Sequence, residues 1–427
     1  MLRKKRSRSP EEEARLTQVE ADLKVGSKAF DAAMHEIATA YTDTRTRDLL
    51  LRDVKTKSSA FQPTLKELGH GAVLVQYIIL PGKVRILLTT PSVIIAREAV
   101  SSEKELNSKI AAFRDILSDP YRDPLPQARA LYDLLLGPIA DDLRQAGAST
   151  LMLSLDGTLR YLPFAALHDG KGYLAQRMSI ALYTEAARDK LLARPKTEWE
   201  IWGLGLTQAK PGFSALEGVK RELESIVGQG GVAGSIRLDE QFNEKTLKEG
   251  LDKEYPILHI ASHFVFTPGN ETDSYLLLGT GEKLTLADIR HGFQFGAVEL
   301  LTLSACETAM GGGRDAQGVE VEGLGVVVQN KGAKGVLATL WPVADESTAL
   351  LMQTLYRLRI EKQLTKAEAL RQSQLALLTG QATGSGSVKR GARRSDGGQA
   401  ATFTADPKAP FAHPYFWAPF ILMGNWL

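Results

Sequence analysis

Three near-continuous apolar runs, Ile257 to Ser262, Ala297 to Leu303 and Gly335 to Leu340, constrain this chain more than any other feature. Each is followed by loop and helix-forming sequence. A strand without a polar face must be covered on both sides, and strands separated by helices pair in parallel. The pattern therefore predicts an α/β fold, a parallel sheet flanked by helices. Ligands in such sheets bind outside the carboxyl ends of the strands. The theme begins earlier, with strands expected at Leu151 to Leu155 and Ile201 to Leu206 and helices at Glu217 to Val227 and Asn243 to Leu251, the last capped by Asn243. Ahead of these, Ala72 to Leu80 and Val84 to Thr89 flank Pro81-Gly82 and predict a hairpin. Helical segments are expected over Glu103 to Leu117 and Pro126 to Ala146, and a short helical N-terminal region over residues 1–70.

Composition narrows the partners. The 427 residues carry 52 Lys plus Arg against 50 Asp plus Glu, a net charge of +2 that provides no global field for nucleic acid or an anionic membrane. The basic opening Met1 to Arg8 runs into Pro10 and three glutamates with no apolar signal-peptide core behind it. The longest apolar stretch, Ala72 to Leu80, is about half of a membrane span. These features predict a cytoplasmic protein that meets neither nucleic acid nor membrane. Thr379 to Pro410, rich in Gly, Ser, Ala and Thr and carrying Lys389, Arg390, Arg393 and Arg394, is expected to be a flexible insertion open to proteases. The aromatic segment Phe411 to Leu427 then provides a last strand and its lead-in.

The single cysteine, Cys306, excludes an internal disulfide and a cysteine-built metal site, and it suits a reducing cytosol. It follows the strand Val298 to Leu303 and precedes a loop rich in glycine (Gly311, Gly312, Gly313, Gly318), which puts a thiol at the ligand-binding edge. The competing reading is a buried thiol acting as a small hydrophobe. His263 closes the run Ile257 to His263, where alternation puts Ile257, His259, Ala261 and His263 on one face. The 43 positions from His263 to Cys306 hold one crossover to a parallel neighbour, which would bring imidazole and thiol together. A hydrogen-bonded histidine at a strand end is the alternative. His259 and His263 also have the spacing of a zinc helix. That motif needs a helix and an intervening glutamate, and Ile260-Ala-Ser262 in a strand supplies neither, so His259 is read as a core histidine. No Gly-x-Ser-x-Gly elbow and no Gly-x-x-x-x-Gly-Lys-Ser/Thr loop occurs.

Leu258-His-Ile-Ala-Ser-His263, Leu303-Ser-Ala-Cys-Glu-Thr308, Ala338-Thr-Leu-Trp-Pro-Val-Ala-Asp345 and His413-Pro-Tyr-Phe-Trp417 with Gly424 together resemble the CHAT domain, a caspase-like cysteine protease family that is also similar to separase. Asp156-Gly157 with Leu162-Pro-Phe164 matches an earlier motif of that family. The resemblance covers about Ala72 to Leu427. It implies an inactive caspase-like half over residues 71–200, a catalytic half over 201–427, and His263 and Cys306 in the dyad positions. The implied activity is that of a cysteine endopeptidase without metal or organic cofactor, its oxyanion held by the N–H groups of Cys306 and Phe264. Such enzymes usually carry Gly after the histidine, where this chain has Phe264. Similarity to separase implies that Asp345, in the Trp-x-Val-x-Asp stretch, receives a basic substrate residue, with Asp156 as a second acidic position; an N-cap is the other reading of Asp345. The implied partners are a protein substrate, with a pore-forming protein such as a bacterial gasdermin as one target, and a separate activating or sensor chain in bacterial defence or cell death. A catalytically silent scaffold that binds partner proteins is the alternative function.

Overall fold

The structure, a computed structural model, describes residues 60–228, 231–265, 267, 271–304, 323–341, 343, 345–382, 402–404 and 406–427. The chain divides into two compact units, one ending its two segments at Leu106 and Ser154, the other formed by Asn107–Asp133 with Leu155–Leu427.

In the first unit, β1 (Ala72–Leu80), β2 (Lys83–Thr89) and β3 (Ile94–Val100) form an antiparallel meander, and β4 (Thr150–Ser154) joins β1 in parallel. The predicted hairpin turns at Pro81-Gly82, where Gly82 takes φ 77°, a conformation that a side chain would strain. A helix over residues 60–68 buries Phe61, Leu65 and Leu68. The expected single helix Pro126 to Ala146 is instead three pieces, Leu125–Leu135, a 3-10 turn Gly137–Ile139, and Ala140–Gln145. Pro138 has no N–H to donate, so a continuous helix cannot pass through it without losing a bond.

The second unit contains β5 (Ser179–Leu182), β6 (Glu200–Gly205), β7 (Ala233–Leu238) and β8 (Ile257–Ala261). Beside β8 a small sheet is built from β9 (Phe264–Val265), β10 (Tyr275–Leu277) and β11 (Lys283–Thr285). The main strands continue with β12 (Leu300–Ser304), β13 (Gly335–Thr339) and β14 (Phe420–Gly424), in the order β5-β14-β13-β12-β8-β6-β7. Strands β13, β12, β8 and β6 are parallel, as their apolar runs predict, and β7, a more polar strand that the sequence pattern does not predict, adds in parallel beside β6. The closing strand β14 departs from that expectation, running antiparallel to β13.

The period-two alternation of β8 and β12 separates two environments. Leu258, Ile260, Leu301 and Leu303 enter a core with Phe242, Leu247, Ile289 and Val327. On the other face, Ala261 packs with Val219 and Leu223 of the helix Val219–Ile226. Each fully buried aliphatic side chain contributes about 1.5–3 kcal/mol. A one-residue slip would drive His259 and Thr302 into the apolar core, so burial sets the register. The helix Glu244–Asp252 is capped as expected: Asn243 Oδ1 accepts the Thr246 N–H and Thr246 Oγ1 accepts the Asn243 N–H, both at 3.0 Å. Around the insertion, Thr379 caps the helix Lys366–Leu378 and the Phe403 N–H donates to Tyr121 O at 2.8 Å, while residues 383–401 lie outside the described residues.

Candidate active site

The site is built at the carboxyl ends of β8 and β12. These strands are parallel neighbours with Ser304 opposite Ala261. In the sequence, His263 follows Ala261 by two residues and Cys306 follows Ser304 by two. Cys306 lies outside the described residues, with the glycines at 311 to 313 and 318.

His263 is 1% exposed. Its Nε2 lies 2.9 Å from Ser214 O, and its ring is tilted against Phe213 at a 5.0 Å centroid distance. A carbonyl oxygen can only accept, so Nε2 carries the proton in the neutral ring and Nδ1 is the basic nitrogen. Ser214 belongs to the loop that follows β6. The loop is closed by the Leu216 N–H on Thr207 O at 3.1 Å and by Asp239, whose carboxylate accepts the Thr207 N–H and Oγ1–H, each at 2.7 Å. Burial pushes the Asp239 carboxyl up, but the Thr207 and Gln208 bonds outweigh it and hold the group below the usual carboxylate range. Asp239 has φ 49°, an uncommon conformation for a residue with a side chain, and the three bonds to its carboxylate hold it there.

Phe264 begins β9, opposite Leu276. The Leu277 N–H donates to His263 O at 2.9 Å. In an antiparallel ladder this makes Phe264 and Leu276 a non-hydrogen-bonded pair, so the Phe264 N–H points away from β10. Phe264 is not among the residues with positive φ, and the backbone accepts a phenylalanine here without the strain that would demand glycine. Its ring is buried in the apolar core with Leu276.

Asp345 opens the helix Asp345–Glu361, on the chain that leaves β13 at the same edge of the parallel strands. It is the first helical residue instead of the residue before it. Trp341 anchors this segment through Nε1–H on Tyr415 O at 3.1 Å, which explains in packing terms why the Trp341 and His413 to Trp417 motifs occur together. Asp156 follows β4 and precedes the 3-10 turn Gly157–Tyr161, its carbonyl accepting the Leu159 N–H at 3.2 Å.

Sequence reasoning missed a buried polar cluster just below the strand ends. His259, fully buried as a core histidine should be, places Nδ1 3.0 Å from Tyr356 Oη and Nε2 3.0 Å from Glu222 Oε1. Ser304 Oγ donates to the same Glu222 oxygen at 2.6 Å, and Thr302 Oγ1 is 2.8 Å from Tyr356 Oη. One signal was available: Glu222 falls on the apolar stripe Val219, Leu223, Ile226 of its helix, where a carboxylate needs buried partners.

The fold is similar to that of separase from Saccharomyces cerevisiae, solved in complex with securin, at 11% identity and a TM-score of 0.51, over 91% of this chain and 32% of that one. The chain thus spans about a third of the separase chain's length. A structure of the pro- and mature domains of RgpB from Porphyromonas gingivalis is similar at 9% identity and a TM-score of 0.41, over 76% of this chain and 77% of that one. The mostly parallel sheet flanked by helices is the caspase-like fold of cysteine proteases. A family model of the CHAT domain matches residues 125–425, more than two thirds of the sequence, and the chain belongs to that family. No curated protein sequence matches it. Among the described residues, no helix is long and apolar enough to cross a membrane.

Proposed function

We propose that the chain is a cysteine endopeptidase with Cys306 as nucleophile and His263 as general acid and base. The observation that supports this reading is the β8–β12 register, which pairs Ala261 with Ser304, the residues two before His263 and two before Cys306 in the sequence. Paired strands lie about 4.8 Å apart, so a thiol and an imidazole that continued this pairing would be within reach of each other. The Cys306 thiolate attacks the scissile carbonyl and forms a C–S bond. Protonated His263 gives its Nδ1 proton to the leaving amine as the C–N bond breaks, while Nε2–H stays on Ser214 O. The neutral ring then takes a proton from the water that attacks the thioester, and the thiolate leaves. The N–H groups of Phe264 and Cys306 hold the oxyanion, each worth roughly 3 kcal/mol.

Asp345 supports a preference for Arg or Lys on the amino side of the cut, because a carboxylate at this edge pairs a guanidinium by charge-assisted bonds and repels an acidic side chain. Asp156 is a second acidic contact of the same kind. Residues 71–200 are an inactive caspase-like half that precedes the catalytic half. The substrate is a cytoplasmic protein, with pore-forming proteins such as a bacterial gasdermin as the target class to test first, and a separate chain delivers the activating signal in a defence or cell-death pathway. The experiment compares fragments in a lysate treated with wild type, Cys306→Ala and Asp345→Ala. New termini following Arg or Lys that require Cys306 are expected, with the basic preference lost in Asp345→Ala. Equal cleavage by Cys306→Ala overturns the protease reading, and an unchanged basic preference in Asp345→Ala removes Asp345 from the pocket.

A further inference from the structure

We propose that Glu222 is a positioning residue for the Cys306/His263 dyad, its one carboxylate tying β8 to β12 just below the two residues. The inference rests on the protease reading and adds to it. Glu222 is 4% exposed, and its Oε1 meets both strands: Ser304 Oγ of β12 at 2.6 Å and His259 Nε2 of β8 at 3.0 Å. Ser304 is two residues before Cys306, and His259, inside β8, is four before His263. The described register between these strands reaches Ser304 and Ala261, the position at which the Glu222 bond closes over it from the helix side. A lateral tie there keeps the two strand ends level, and a dyad depends on that alignment because a shift of about 1 Å misaligns a proton transfer.

The bonding is complete without further partners for the ring. With His259 neutral, Nε2–H donates to Glu222, Nδ1 accepts from the Tyr356 hydroxyl, and Tyr356 accepts from the Thr302 hydroxyl. Oε1 accepts twice, so a glutamine amide oxygen can replace it, whereas alanine removes both bonds. A positioning role therefore predicts rescue by Glu222→Gln.

The test uses the lone cysteine. Alkylation of the full chain by iodoacetamide reports Cys306 alone, and the pH at which its rate reaches half its maximum reports the thiolate that the dyad maintains. Wild type is expected to sit below His263→Ala. Ser304→Ala should move the midpoint toward His263→Ala by about half a pH unit or more, Glu222→Ala further, and Glu222→Gln only slightly. Thr184→Val, which removes the buried bond to Gln329 Oε1 (2.6 Å) elsewhere in the unit, controls for lost stability and should leave the midpoint in place. If Glu222→Ala does not fold, Ser304→Ala decides. A wild-type midpoint in Ser304→Ala, or an equal shift in Thr184→Val, overturns the positioning role while leaving the dyad standing. Identical midpoints in wild type and His263→Ala overturn the dyad, and the positioning role with it.

Discussion

The two edges of the parallel strands in the second unit are both rich in buried polar groups, yet they are built differently. At the carboxyl edge His259, Glu222, Ser304, Tyr356 and Thr302 form one hydrogen-bonded cluster, and His263 is bonded separately to Ser214 O. At the amino edge the groups are an ion pair, a buried amine and an amide. Glu299, fully buried just before β12, pairs with Lys334, which precedes β13. Lys366 Nζ donates to Asn425 Oδ1 at 3.0 Å, and the Asn425 amide donates to the carbonyls of Lys190, Leu191 and Ala193. Asn425 follows Gly424, whose φ of 85° and close approach to Lys334 O leave no room for a Cβ. The connections at this edge are short, so backbone carbonyls close around the charges and lock the chain end. The connections that leave the carboxyl edge are longer: residues 206–218 follow β6, and residues 305–322 separate β12 from the next helix in the sequence.

The sharpest way to break this contrast is to exchange the outcomes of substitutions at the two edges. Cys306→Ala and His263→Ala should each lower proteolysis by about 10³-fold or more, non-additively in the double variant, with little change in the urea midpoint. A residual rate near wild type in either would dissolve the carboxyl edge as a catalytic site. Glu299→Ala should do the reverse. Removing it leaves Lys334 without its buried partner, and the expected loss is about 3–5 kcal/mol by urea denaturation, with the specific activity of the folded fraction kept. Glu299 Oε2 has no partner among the described residues, so Glu299→Gln should cost less than alanine.

Smaller effects sharpen the comparison. Burial pushes the Lys366 ammonium down from 10.5 to about 7, against the attraction of Glu299. The native chain then binds this proton less tightly than the unfolded chain. Its contribution is fully present above about 10.5 and is lost as pH falls toward 7, so stability should rise with pH across that window, by at most about 1.4 kcal/mol per pH unit. Lys366→Met should flatten the rise, and an unchanged slope would show that the amine is hydrated. Tyr356→Phe, which strips the hydroxyl from His259 and Thr302, should cost about 1–2 kcal/mol in thermal denaturation and leave the Cys306 alkylation midpoint nearly unchanged, because the Glu222 tie to both strands remains.

Much of this was legible in the sequence because it depends on local rules. Apolar runs without a polar face specified buried parallel strands, Pro81-Gly82 specified the hairpin, Asn243 specified a helix cap, and alternation along β8 separated His259 from Leu258 and Ile260. His263 and Cys306 could be singled out as candidates from the ends of apolar runs and from motif spacing. Only the tertiary structure decided the rest. Which strand lies beside β8, and that Ser304 stands opposite Ala261, follows from packing helices and loops together over long sequence separations. The same holds for β14 entering antiparallel, for Ser214 O as the acceptor that sets the His263 tautomer, and for Glu222 reaching Ser304 across 82 positions of chain. Period and propensity report which face a side chain takes within one element, whereas hydrogen bonds between elements depend on distances that exist only after the core has closed.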